Sequence, residues 1–453
     1  MISLNLSDVV TDLDARLLGE DVSFSMVSTD TRTLQKGALF VALKGPRFDG
    51  HDYITGAVDA GAAAVVVDHE VPTKAPQLIV RDTRLALGQL ASAWRLQSTA
   101  AVVAVTGSNG KTTVKEMIAS ILKQQGEVLA TQGNLNNDIG MPLTLMRLQD
   151  QPFAVIEMGA NHPGEIDYLS KIAKPDVALL NNACRSHLEG FGSIDGVAKA
   201  KSEIVSGLSE SGCFVFNADD NFAPFWEGVA AGHRTCTFGV TQPADISSKG
   251  AAEVIWCDEG FTSRFMAVTP LGELTLSLPL AGEHNRLNAL AAIAAALQLG
   301  ATGDDVVTGL AAMKPVKGRL QPRVATNGVL LIDDSYNANP DSVAAAIDVL
   351  ATAPGRRFFL LGELGELGER TDDFYRELGA YARKSGIDRF YCVGAAALAA
   401  NEFGLGGVGF DTRELLIEAL QQELQAGDKV LVKGSRRAGM ELIVNALVAR
   451  ETD

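Results

Sequence analysis

Lys111 and Thr112 stand side by side directly after a glycine-rich turn, in the stretch AVVAVTGSNGKTTVKE at residues 101–116. A cation next to a hydroxyl at that place suits a nucleoside triphosphate. The ammonium reaches the β- and γ-phosphates, and the hydroxyl holds Mg²⁺. The turn Thr106-Gly107-Ser108-Asn109-Gly110 offers backbone N–H groups, and the helix it opens brings the positive end of its dipole to the anion. Gly107, Ser108, Asn109, Gly110, Lys111, Thr112 and Thr113 are therefore candidate ATP contacts. The strict pattern G-x-x-x-x-G-K-[ST] has glycine at position 105, where this chain has Val105. A glycine-rich turn that merely precedes a lysine is the competing reading, and the order strand, turn, helix speaks against it.

The elements that must position this pair are those of an open parallel sheet. Residues 101–105 are small or β-branched and apolar, as a buried parallel strand requires. Further strands are expected at 128–131, 153–159, 176–182 and 214–216. Such sheets gather their sites at the carboxyl ends of the strands, which draws attention to what stands there. Glu157 emerges from an apolar strand; a carboxylate is costly to bury unless paired or metal-bound, and Mg²⁺ is the obvious partner beside a phosphate loop. His187 follows the fourth strand and is a candidate for metal or substrate contact. Asn134, Asn136 and Asn137 lie on the loop after the second strand, where turn and cap chemistry competes with a binding role. A helix at 193–208 carries Lys199 and Lys201, and lysines on a helix are usually solvated.

The flanking regions are also α/β. Residues 1–82 form a small first unit, with helical spacing at 3–18 and short strands at 38–43, 63–67 and 77–80. There Thr29, Asp30, Arg32 and Lys44 either bind an anionic ligand or form a capped turn with solvated charges. The central unit, 83–313, adds an antiparallel set at 254–257, 263–268 and 273–278, then a charge-free Ala/Leu helix at 288–299 that must be buried. The third unit, 314–453, begins at a basic hinge with Arg319 and alternates strands (329–332, 358–361, 390–393, 429–432) with helices. This is the pattern of a second mononucleotide-type, Rossmann-like sheet. Asp333, Asp334, Lys433 and Arg436 fall at its strand ends.

The chain has 453 residues, enough for two to four domains. Lys plus Arg is 39 against 55 for Asp plus Glu, a net charge of −16, which argues against nucleic acid as a partner. A polyphosphate must then be held by a local site. No run of 18 apolar residues predicts a membrane span, and the N-terminus lacks the apolar core of a signal peptide. The five cysteines have no C-x-x-C spacing and read as reduced thiols of a cytoplasmic protein.

The segments TGSNGKTT, GNLNNDIG, VIEMGANHPGEI, SHLEGFGS, AKAKSEI, GEHNRLNALAA, KGR, DDSYNANP and KGSR occur in this order. Each is weak alone; together with the N-terminal STDTR and FVALKGPRFDGH they make the chain resemble the Mur ligases, ATP-dependent amide-forming enzymes of peptidoglycan synthesis, over almost its whole length. The family's loop does not require glycine at position 105. The resemblance implies a three-domain protein that uses ATP to phosphorylate the terminal carboxylate of a UDP-MurNAc-tripeptide. The amine of D-Ala-D-Ala then displaces the phosphate. It further implies catalytic roles for Lys111, Lys201, His187 and Arg319. Two Mg²⁺ ions would be held by Thr112, Glu157, His187 and Lys201, the lysine carrying a CO₂-derived carbamate. Asn285 would contact adenine, Arg319 the nucleotide phosphates, and Asp334, Tyr336 and Asn337 the ribose, phosphate and incoming dipeptide. Thr29, Asp30, Arg32, Lys44, Asn134, Asn136 and Asn137 would hold the UDP-sugar, with Lys433 and Arg436 also on the substrate side. A monomer is expected. The text departs from the family at residues 362–368 (GELGELG, for GDM-x-ELG) and at Tyr375, which stands about where a histidine is common. The rivals are a sister ligase that adds the third amino acid, a folylpolyglutamate synthase, and a non-ligating P-loop NTPase. The DNPR motif of the diaminopimelate-adding sister ligases is absent, and the NTPase reading leaves Lys201, Arg319 and the third unit unexplained.

Overall fold

Three sheets follow one another along the chain in the computed structural model, which describes residues 2–325, 327–365, 367 and 370–448. Glu366 and Gly368 of the GELGELG stretch lie outside the described residues. The first sheet has the order Arg16–Leu18, Gln77–Ile79, Ala64–Val67, Leu39–Val41, Val27–Ser28. Its first pair is antiparallel and the rest are parallel. The expected helix at 3–18 is only one turn, Leu6–Val9, flanked by the strands Leu4–Asn5 and Arg16–Leu18. Leu4, Leu6, Val9 and Leu13 are all buried, so the apolar spacing is satisfied without a continuous helix. Asp14 adopts φ +47°, which breaks the helical path.

The central sheet is six parallel strands in the order Val128–Ala130, Phe153–Glu157, Ala101–Thr106, Val177–Leu180, Cys213–Asn217, Arg234–Phe238. The last strand was not evident from the sequence. Strand order reverses beside Ala101–Thr106, so the phosphate loop leaves the sheet at a topological switch point, where a crevice opens. Helix Lys111–Leu122 covers one face with the helix Glu283–Gln298, whose residues 288–296 are all buried, as their Ala/Leu composition requires. Helix Thr83–Leu96, capped by Asp82, packs on the other face and ties the first unit to the central one. The Trp94 indole N–H donates to the Leu148 carbonyl at 2.8 Å, and the Thr83 hydroxyl donates to Ala42 at 2.9 Å. The antiparallel set is Ser247–Cys257, Gly260–Thr269 and Gly272–Leu278.

The third sheet has the order Gln321–Val324, Leu330–Asp334, Lys429–Lys433, Arg357–Leu361, Arg389–Val393, Gly407–Phe410, with only the first pair antiparallel. Its two edge strands were not expected from sequence. Among the described residues no helix is long and apolar enough to cross a membrane.

Candidate active site

The carboxyl ends of the central and third sheets face each other across a cavity of about 380 Å³. Gly110 opens the helix Lys111–Leu122 at φ +80°, and a Cβ there would lie 2.4 Å from Asn288 Oδ1. Only glycine fits both constraints. Asparagines brace the loop behind it. Asn181 Nδ2 donates to the Asn109 carbonyl (3.0 Å) and to Asn288 Oδ1 (2.9 Å); Asn182 Oδ1 accepts from the Asn109 backbone N–H (2.8 Å). Asn288 in turn donates to Asn285 Oδ1 at 3.1 Å. Val105 lies fully buried in the strand, below the loop.

The Lys111 ammonium donates to the carbonyls of Gly107 (2.7 Å) and Ser108 (3.1 Å), and burial lowers its pKa. Gly110, Lys111 and Thr112 line the cavity at the helix's first turn, whose N–H groups have no preceding carbonyl within the helix. Opposite them is Glu157. One carboxylate oxygen accepts from Asn136 Nδ2 at 2.8 Å; the other is buried and has no hydrogen-bond partner among the described residues. A lone buried carboxylate oxygen is a costly arrangement that a hard cation relieves. Thr112 and His187 line the same cavity, so these oxygen and nitrogen donors fit Mg²⁺. His187 adopts φ +51° on its loop.

Lys201, expected to look solvated by helical position alone, is 1% exposed. Its Nζ lies 3.5 Å from the carbonyl of Ala160, which lines the cavity, and 5.4 Å from the Phe191 ring centroid. Burial, and next the charge of Lys111, push its pKa down to about 7.

A second cavity of about 230 Å³ shares Asn109, Gly110, Thr112 and Arg319 with the first. It is lined further by Thr113, His284, Asn285, Asp334 and Lys433. Burial holds His284 near 4, so its imidazole is neutral beside Asn285. Lys433 donates to Asp334 at 2.6 Å and to the Asn337 carbonyl at 3.0 Å. Asp334 also accepts the Leu320 N–H at 3.2 Å, which ties the hinge to the sheet. Lys433 thus stands among the residues expected around the nucleotide, apart from Arg436 in the first cavity. The Arg319 guanidinium lies 4.3 Å over the Tyr336 ring, and that of Arg436 lies 5.8 Å from the same ring.

Two clamps that sequence reasoning missed join the sheets. Asn339, the N-cap of helix Pro340–Ala351, donates to Asn109 Oδ1 at 2.7 Å. Two guanidinium nitrogens of Arg185 donate to one oxygen of Asp341 (2.9 and 2.5 Å), whose other oxygen accepts the Arg185 backbone N–H at 3.0 Å. Their partners are 230 and 156 residues apart, so no local pattern announces them. The departure at Tyr375 proves structural: the ring is buried, and its hydroxyl accepts the Leu364 N–H at 2.9 Å, fixing the loop after the strand.

The residues expected to hold the UDP-sugar divide. Asn136 and Asn137 line the first cavity, as do Tyr336 and Asn337, expected on the nucleotide and dipeptide side. Asn134, Thr29, Asp30, Arg32 and Lys44 line neither. Arg32 forms a bidentate pair with Asp30, whose carboxyl it holds down at about 2, and Lys44 lies 3.3 Å from Asp49. The first cavity carries Lys111, Arg185, Arg319, Arg436 and Arg437 against Glu157 and Glu165. It is a cationic pocket in an acidic chain, which suits a polyphosphate and a carboxylate together.

Comparison with known proteins gives matches along nearly the whole chain. Residues 23–95 match the family described as "Mur ligase family, catalytic domain", residues 105–296 the "Mur ligase middle domain", and residues 318–436 the "Mur ligase, glutamate ligase domain". A UDP-N-acetylmuramoyl-tripeptide–D-alanyl-D-alanine ligase of Escherichia coli is 46% identical over 99% of both chains. The crystal structure of MurF from Acinetobacter baumannii superposes with a TM-score of 0.91 at 36% identity, covering 99% of both chains. That of MurF from Thermotoga maritima in complex with ADP gives 0.82 at 30% identity, covering 93% of this chain and 96% of the other.

Proposed function

The chain belongs to the Mur ligase family, and from this we propose that it joins D-alanyl-D-alanine to a UDP-N-acetylmuramoyl-tripeptide at the expense of ATP. The observation that carries this reading is the unpartnered buried oxygen of Glu157, facing Lys111 and Thr112 across one cationic cavity between two sheets. Identity of 46% over the full length to a ligase of that name supports this acceptor over those of the sister ligases.

A carboxylate is a poor electrophile, because its charge repels an amine and oxide does not leave. Transfer of the γ-phosphoryl group to one carboxylate oxygen turns it into a leaving group. The dipeptide amine then adds to the carbonyl carbon, loses a proton, and phosphate departs with the original carboxylate oxygen. The protein's task is to position the groups and neutralise charge. Lys111 exchanges its loop carbonyls for phosphate oxygens. Arg319, on the Gly318 hinge, meets the nucleotide from the third sheet's side, and Asn285, His284 and Asp334 line the space for adenosine. Mg²⁺, held by Thr112, Glu157 and His187, would supply charge neutralisation for the transferring phosphoryl group. Lys201 would carry a carbamate. Its low pKa leaves the amine neutral, the form that adds CO₂, and the product gives an anionic oxygen ligand where an ammonium cannot serve.

In this reading residues 1–82 present the UDP-sugar through Thr29, Asp30, Arg32, Lys44 and the asparagine loop. Residues 83–313 bind ATP, and residues 314–453 bring the dipeptide through Asn337 and Arg436. The enzyme works in the cytoplasm as a monomer. A phosphate-release assay tests the reading. Turnover should require both the UDP-tripeptide and D-Ala-D-Ala; turnover indifferent to the dipeptide would sink it.

A further inference from the structure

His51, Asp68 and His69 form a cluster in the first unit that the ligation chemistry leaves unused. It is the one group of three or more histidine, cysteine or acidic residues among those described whose ligand atoms all lie within 4.8 Å of one another. None of the three lines either cavity. His51 is on the short helix Gly50–Tyr53, capped by Asp49; Asp68 and His69 directly follow the strand Ala64–Val67.

The His51 side chain is 7% exposed, and both of its ring nitrogens are assigned by their neighbours. Nδ1 lies 2.6 Å from the Asp49 carboxylate, which takes its proton in a hydrogen bond. Nε2 accepts the Asp68 backbone N–H at 3.2 Å. The lone pair is therefore on Nε2, where it holds the Asp68 N–H and where a metal ion would replace that hydrogen bond. This carboxylate–imidazole arrangement is the one that orients and strengthens a metal-bound histidine. Asp68 Oδ1 stands 3.2 Å from Nε2 and contacts His69 Nδ1. Tetrahedral zinc with bonds of about 2.0–2.1 Å needs ligand atoms roughly 3.3 Å apart, so the His51–Asp68 edge already has that length. The His51 and His69 rings stack at 4.7 Å, and the His69 side chain is exposed and able to swing onto the third position.

We propose that His51, Asp68 and His69 form a divalent transition-metal site, with water in the fourth position, that staples the Asp49–His51 turn to the end of the strand Ala64–Val67. Two imidazoles and one carboxylate select Zn²⁺, Cu²⁺ or Ni²⁺ over the oxygen-seeking Mg²⁺ and Ca²⁺. The site is separate from the Mg²⁺ donors of the catalytic cavity and does not depend on the reaction assigned to it.

The test titrates Zn²⁺ into the full-length protein against a chromophoric chelator, with millimolar Mg²⁺ present throughout. Co²⁺ serves as the spectroscopic probe. Wild type should hold one equivalent more than His69→Ala and than Asp68→Asn, with affinity weakened more than about tenfold in each variant. Co²⁺ should show tetrahedral d–d absorption in wild type only. ATP turnover in His69→Ala verifies that the variant is folded. Equal stoichiometry and affinity in wild type and His69→Ala would overturn the proposal, as would no Zn²⁺ retained by wild type.

Discussion

Lys201→Ala separates a buried structural lysine from one that works. In water an amine of pKa 10.5 is neutral in roughly one molecule in a thousand at pH 7.5; with the value near 7 imposed by burial and Lys111, roughly three quarters are neutral. The site thus raises the CO₂-reactive form by several hundredfold. A carbamate formed there would be an anionic ligand next to Ala160, on the wall of the cavity that Glu157 and His187 also line, and losing one such electrostatic contact costs about 10²–10³ in turnover. The assay is D-Ala-D-Ala-dependent phosphate release, with and without a short carboxylic acid. The variant should fall about a hundredfold or more and recover in part with the acid. Protein equilibrated with ¹³C-labelled bicarbonate should show one carbamate carbonyl signal, absent from the variant. In wild type the carbamate should diminish as pH falls, because its formation from amine and CO₂ releases a proton and acid traps the free amine as ammonium. Full activity of Lys201→Ala without additive would refute the reasoning.

Glu157→Gln keeps the Asn136 hydrogen bond but removes the charge on the unpartnered oxygen. The Mg²⁺ concentration for half-maximal rate should rise at least about tenfold, while the thermal midpoint without Mg²⁺ equals or exceeds that of wild type; an unaltered Mg²⁺ dependence would contradict the assignment. Arg185→Ala opens the clamp to Asp341. The pair is about a third exposed, so its loss is worth about 1 kcal/mol, or roughly fivefold in the equilibrium constant for holding the two sheets together. KM for ATP should rise by that factor and wild-type KM should climb with salt; no change in either would dismiss the clamp. Arg32→Ala should raise KM for the UDP-substrate more than for ATP, with little effect on stability because the side chain is 86% exposed. An equal rise in both would undo the role given to the first unit.

Elements whose information is local were legible. The apolar run before TGSNGKTT, the Ala/Leu helix and the third unit's strand–helix alternation all form where their patterns place them. Glu157 was visible because a carboxylate on an apolar strand needs a reason. The misses depend on distant partners. Arg16–Leu18 is a strand through pairing with Gln77–Ile79, and Gln321–Val324 and Gly407–Phe410 are edge strands with weak patterns of their own. The burial of Lys201 comes from the elements packed around its helix, which a single helix's sequence does not contain. The Asn109–Asn339 and Arg185–Asp341 contacts exist only once two sheets face each other.

If ATP activates the tripeptide carboxylate for attack by the dipeptide amine, one carboxylate oxygen must leave with the phosphate. The direct measurement uses UDP-MurNAc-tripeptide labelled with ¹⁸O in its terminal carboxylate, with D-Ala-D-Ala and ATP, and mass analysis of both products. One ¹⁸O should appear in the released phosphate for each amide formed, with no sustained phosphate release without the tripeptide. Phosphate free of label, or release at the same rate without the tripeptide, would contradict carboxylate activation.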